Sequence, residues 1–144
     1  MPTIQISNQS VLPLEKQRLR MAVCMVLKEA GTTEAKISVA VVDDPTIARL
    51  NRQFLDHEGP TDVLSFALEE DQGRLEGEIV VSADTATRTA AEYGWSPQEE
   101  LLFYVVHGAL HLVGYDDATP AQRAQMRRRE RAVLKQLGIL TPKT

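Results

Sequence analysis

Two histidines, two glycines and two aspartates fall within one short run of this 144-residue chain: His107-Gly108-Ala109-Leu110-His111-Leu112-Val113-Gly114-Tyr115-Asp116-Asp117. Residues four apart on a helix project from one face, one turn above another. Two imidazoles so placed can reach a single ion at about 2.0–2.1 Å from each nitrogen. Gly114 then offers a left-handed helix end at no steric cost. The chain reverses there, and Asp117 can return to the same ion as a third ligand. Three protein ligands leave a position open, which marks a catalytic zinc site rather than a structural one, so one Zn2+ per chain is expected. Tyr115 is read as a packing residue. Asp116 is either a carboxylate orienting a histidine or a solvated turn residue.

The offsets match the metal frame of the metzincin proteases with one element missing. Where those enzymes carry the glutamate that acts as general base, this chain has Gly108. Glycine has no group to take a proton from water, and general-base catalysis typically contributes about 10²–10⁴-fold. A metalloprotease is therefore disfavoured.

Composition bounds the rest. At 43% hydrophobic residues the chain is expected to form one domain over 1–144, long enough for a real core. There is no run of about 18 apolar residues to span a membrane, and the first residues lack the basic and apolar blocks of a signal peptide. A cytoplasmic setting is expected, without membrane or small-molecule organic cofactor. The lone cysteine, Cys24, falls in an apolar helical pattern and is read as a buried thiol. Net charge is −4, but residues 119–144 carry seven basic side chains and one acid, Glu130, so the remainder carries −10. Such asymmetry fits a basic face for phosphate and equally a solvated terminal helix.

The pattern predicts strands over residues 3–7, 36–42, 60–68 and 77–82, with a turn at Asp71-Gln72-Gly73. Helices are predicted over residues 13–30 and from Asp44-Pro45, as N-cap and first-turn proline, to about Phe54. Ser82 or Asp84 caps a third helix that runs to Tyr93 and ends at Gly94. Ser96-Pro97-Gln98-Glu99 is a capping box that opens the metal helix, whose Leu101, Leu102, Val105, Val106 and Leu110 bury one broad side. Thr119-Pro120-Ala121-Gln122 repeats the logic for a last helix ending at Gly138. The expected fold is α+β: one mixed or antiparallel sheet of about four strands covered by helices, with a metzincin-like metal helix packed on it.

Three ordered blocks resemble the YbeY family of bacterial metal-dependent endoribonucleases: the metal run, Pro60-Thr61-Asp62-Val63-Leu64-Ser65-Phe66, and Gly77-Glu78-Ile79-Val80-Val81-Ser82. Leu50-Asn51 lies at the expected distance before them, and the similarity spans roughly residues 36–117. The resemblance implies zinc-dependent cleavage of single-stranded RNA in ribosomal RNA maturation and ribosome quality control, with ribosomal RNA and the small ribosomal subunit as partners.

Two departures stand out. The family's usual third ligand is histidine, and here it is Asp117. A carboxylate oxygen binds zinc at a similar distance, though its charge makes the ion a weaker Lewis acid and its hardness shifts preference toward other divalent metals. Many relatives have an arginine where this chain has Leu55, which cannot contact phosphate. A variant form of the family pairs these two changes. His57 either takes over a phosphate or proton-transfer role, is a loop histidine with no role, or rivals Asp117 as third ligand. Asp116 and Asp62 are the candidate general bases, and Arg52, Arg127 and Arg131 the candidate phosphate contacts. The alternative class is a ribosome-associated RNA-binding protein whose metal is mainly structural.

Overall fold

A computed structural model describes residues 2–71 and 74–139. In chain order the elements are β1 (Thr3–Asn8), α1 (Lys16–Glu29), β2 (Glu34–Val42), α2 (Asp44–Leu55), β3 (Val63–Asp71), β4 (Arg74–Ser82), α3 (Ala83–Tyr93), α4 (Pro97–Leu112) and α5 (Pro120–Gln136). The strands form one sheet in the order β1-β2-β4-β3. β2 runs parallel to β1 and to β4, whereas β3 is antiparallel to β4, so the sheet is mixed. The α+β class and the four strands are as the sequence predicts.

Strand side chains alternate between two unequal faces. Ile37, Val39 and Val41 of β2 and Leu75, Ile79 and Val81 of β4 join the buried cluster built with α1, α3, α4 and α5. Val42, Leu64 and Val80 point the other way and form a smaller cluster with Ile47 of α2. α4 is the central helix, packed against α1, α3, α5, β3 and β4. Its start is fixed by the Ser96–Glu99 capping box, with Pro97 in the first turn.

Two glycines let α4 lie close on the sheet. A Cβ at Gly108 would stand 2.8 Å from Ile79 Cγ2 and 3.2 Å from Val63 Cγ2, and one at Gly77 would stand 3.0 Å from Leu112 Cδ1. Position 108 thus faces the sheet, and its lack of a side chain is a packing requirement. A glutamate could not be seated there without moving the helix.

Several boundaries differ from expectation. α1 begins at Lys16 and not at Pro13, whose carbonyl instead accepts a hydrogen bond from Gln98 Nε2 at 3.0 Å. Asp43, not Asp44, caps α2 by accepting from the Thr46 N–H at 2.9 Å. Asp44 is freed to accept from Ser82 Oγ at 2.6 Å and Thr85 Oγ1 at 2.8 Å, tying α2 to the start of α3. Ser82 is the cap of α3. The strand predicted from Pro60 begins at Val63, and before it only the Asp62 carbonyl reaches β4, accepting from the Ser82 N–H at 3.0 Å. α5 closes at Gln136, two residues before the left-handed Gly138. Cys24 is exposed: the apolar face of α1 is carried by its neighbours Ala22, Val23, Val26 and Leu27. In the predicted turn, Asp71 ends β3, and Gln72 and Gly73 lie outside the described residues, as does Lys143 of the basic tail.

Candidate metal centre

Between Glu100 and Leu112 every residue of α4 is buried except Phe103, His107 and His111, which are half-buried and recur at intervals of four. Neighbouring elements cover the helix on all sides but this stripe. His107 Nε2 and His111 Nε2 lie 3.2 Å apart, and Asp117 Oδ2 stands 3.7 Å from the first and 3.4 Å from the second. A tetrahedral ion with bonds of about 2.0–2.1 Å places its ligand atoms about 3.3–3.4 Å apart. The three edges observed here bracket that length. Two imidazole nitrogens and one carboxylate oxygen converging in this way fit a divalent cation.

Local structure delivers Asp117 to the histidines. The N–H of Gly114 bonds to the carbonyl of His111 at 3.1 Å, and that of Tyr115 to the carbonyl of Leu110 at 3.0 Å. These are the paired closing bonds of a helix that ends on a left-handed residue, and Gly114 has φ 106°. Tyr115 packs against the core, as its sequence context predicts. Asp116 Oδ1 accepts from the Asp117 N–H at 2.8 Å. Arg123 of α5 donates to the carbonyls of Asp117 and Ala118 at 3.2 and 3.4 Å. The ligand turn is therefore fastened from within by Asp116 and from α5 by Arg123.

Glu130 completes the arrangement. Its Oε1 lies 3.2 Å from His107 Nδ1, and the residue is only 4% exposed. A ring that donates Nδ1–H to this carboxylate leaves Nε2 unprotonated toward His111 and Asp117. Burial alone would lower the His107 pKa. The hydrogen bond and charge of Glu130, followed by the charges of Asp62 and Asp117, outweigh it and hold the pKa above the ordinary imidazole value. Sequence reasoning counted Glu130 only as the single acid of a basic helix. The available signal was its neighbours: Met126, Val133 and Leu134 lie four before, three after and four after it, and all are buried. An acid on that stripe needs a partner.

The cluster opens into a cavity of about 230 Å³ walled by β3, α4 and α5. Asp62, Val63, Phe103, Met126 and Arg127 line it together with His107 and Asp117.

The model of the Endoribonuclease YbeY family matches residues 4–138. The chain belongs to the YbeY family. Endoribonuclease YbeY of Rhodopirellula baltica is 46% identical over 133 residues, covering 90% of this chain and 69% of that protein. Endoribonuclease YbeY of Moorella thermoacetica is 47% identical over 122 residues, covering 77% and 78%. The solution structure of TM1509 from Thermotoga maritima superposes with a TM-score of 0.67 at 28% identity, over 94% of this chain and 89% of that one. Membership of the family supports an endoribonuclease role for this chain.

Against that family background, the remaining sequence-predicted residues separate into two groups. Asp62 and Arg127 are brought to the pocket. Asp116 lies beside it in sequence, but its carboxylate is turned into its own backbone. Arg131 is exposed one turn further along α5. Arg52 pairs with Glu58 at 3.9 Å on the exposed end of α2, and His57 is exposed in the loop that follows; neither lines this pocket. His57 is also outside the ligand group formed by His107, His111 and Asp117. Leu55 is 46% exposed and offers only apolar surface. Of the other α5 arginines, Arg129 pairs with Glu29 of α1.

Proposed function

We propose that this chain is a single-strand-specific, zinc-dependent endoribonuclease acting in ribosomal RNA maturation and ribosome quality control. The observation that carries the proposal is the convergence of His107 Nε2, His111 Nε2 and Asp117 Oδ2 within 4.8 Å of one another, in a chain of the YbeY family. These three residues would hold the ion. When bound, it supplies Lewis acidity toward a phosphoryl oxygen or the attacking water.

The chain's own residues do the rest. Glu130 fixes the His107 ring. Asp62, on the pocket wall, would accept a proton from water through Oδ2, its Oδ1 being held by the Val63 N–H at 2.8 Å, a role that Gly108 cannot fill. Asp116 serves by shaping the ligand turn. Arg127 holds a phosphate at the pocket, and Arg131, four residues on, extends the same helix face along the RNA. Arg52 and His57 are assigned no contact with the scissile phosphate, because they lie outside the pocket. The proposed partners are ribosomal RNA and the small ribosomal subunit, in the cytoplasm, with no organic cofactor. No helix among the described residues is long and apolar enough to cross a membrane.

Exposed Leu55 favours one other class, an RNA-binding protein with a mainly structural metal. Incubating zinc-replete protein with ribosomal RNA fragments separates the two. The nuclease cuts single-stranded regions, spares duplex, and loses cutting but not RNA binding in His107→Ala. Wild-type protein that binds RNA yet cuts no faster than His107→Ala would establish the binding class.

A further inference from the structure

Resting on the endoribonuclease proposal, we infer that the pocket onto which the cluster opens contains a nucleobase subsite with Phe103 as its stacking platform. The half-buried stripe on α4 is Phe103, His107 and His111, so position 103 lies about one helical turn, a rise of about 6 Å, before the first histidine of the cluster. Phe103, Val63 and Met126 give the cavity an apolar wall and Arg123 and Arg127 bring cations to it; of its acids, Glu130 and Asp117 are engaged with the histidines, and Asp62 stands on the wall beside Val63. An aromatic face beside apolar walls and a guanidinium matches one nucleotide: a flat ring with two apolar faces, joined to an anionic phosphate.

Size points the same way. A cavity of about 230 Å³, part of whose wall is the ligands His107 and Asp117, admits a small flat group and not a folded partner. A base can enter only after leaving its own stack. A duplex must break pairing and stacking to present one, and a single strand need not. The subsite therefore supplies strand selectivity without reading sequence, since every base has a π-face. Trp95 and Tyr104 flank the platform, with ring centroids 6.0 and 6.2 Å from that of Phe103, and they set its orientation.

The test measures binding rather than cleavage. The full-length protein as purified is titrated with a short 2′-O-methyl single-stranded oligoribonucleotide, its integrity checked by gel, and with versions lacking the base at each position in turn. Phe103→Leu keeps apolar volume against Trp95 and Tyr104 but removes the ring, and Phe103→Tyr keeps the ring. We expect one abasic position to weaken wild-type binding roughly 5- to 150-fold, the range of single-base stacking. Phe103→Leu should weaken the intact strand by a similar factor and leave that abasic strand unaffected, while Phe103→Tyr binds like wild type. Equal loss for intact and abasic strands, or no loss, would overturn the subsite. So would a wild-type scan in which no base matters, whether or not Phe103→Leu folds. RNA binding without base dependence removes the subsite alone, and no RNA binding at all removes the endoribonuclease proposal as well.

Discussion

Of the three candidate ligands Asp117 is the least enclosed, with its side chain 45% exposed against 24% and 26% for His107 and His111. Asp117→Ala should weaken metal binding strongly, and Asp117→His should restore or tighten it, because imidazole reaches zinc at a similar distance. His57→Ala should leave occupancy unchanged. Calorimetric titration of zinc reads all three, and an empty site in His57→Ala with a full one in Asp117→Ala would reverse the assignment. Glu130 is open to a pH test in the metal-free protein. The folded pKa of His107 lies above its ordinary value, so its protonation adds stability at low pH, and that contribution is lost as pH rises through the folded pKa. Metal binding runs oppositely, because the ion takes the neutral ring and affinity falls as pH drops through the same value. Glu130→Gln keeps an acceptor for Nδ1–H but removes the charge, so the His107 midpoint should move down. Histidine NMR titration checks this, and an unmoved or higher midpoint would show that Glu130 does not govern the ring. The ligands were legible in sequence because four-residue spacing and a glycine stop fix them locally. Glu130 was not, since its partner lies 23 residues away.

At the level of elements, α4 supplies two of the three candidate ligands and is buried on nearly every other side. Beyond the broad apolar side read from the sequence, Glu100, Tyr104, Gly108, Ala109 and Leu112 are buried as well. Period-based reasoning locates one face, and burial on several sides depends on which elements converge. Gly108 shows the cost of that convergence. Gly108→Ala would gain up to about 1 kcal/mol of helix propensity, but forcing a methyl against Ile79 and Val63 typically costs about 1–3 kcal/mol. The clash should win, because both atoms it meets belong to short, β-branched side chains between helix and sheet. A lower melting temperature with reduced metal affinity is expected, and a more stable variant would mean that α4 sits further from the sheet. Capping residues made the starts of α4 and α5 readable, since each box satisfies its backbone donors locally. Asp44 misled for the converse reason: its carboxylate is taken by Ser82, Thr85 and Arg88, contacts that only the folded sheet brings together.

Across the whole molecule, the core and the site are separable. The main buried cluster runs through α1, α3, α4, α5 and one face of the sheet, whereas the ligand group lies at its border and is half-buried to exposed. α4 and α5 each have their own caps and apolar contacts, so chelation should leave the circular dichroism of the folded chain essentially intact; unfolding on chelation would identify a structural metal. The strand order β1-β2-β4-β3 was beyond sequence reasoning, which could not choose between a mixed and an antiparallel sheet. Neighbours in a sheet are set by non-local packing. What topology achieves is to bring Asp62 and Val63, at the start of the antiparallel edge strand, against α4 and α5. One measurement meets the central claim directly: cleavage of a single-stranded RNA while metal-free protein is titrated with zinc, alongside His111→Ala of unchanged helix content. The rate should rise from nothing to a plateau at about one ion per chain in the wild type and stay at nothing in His111→Ala. Cleavage by the metal-free protein, or a plateau in His111→Ala equal to that of the wild type, would contradict it.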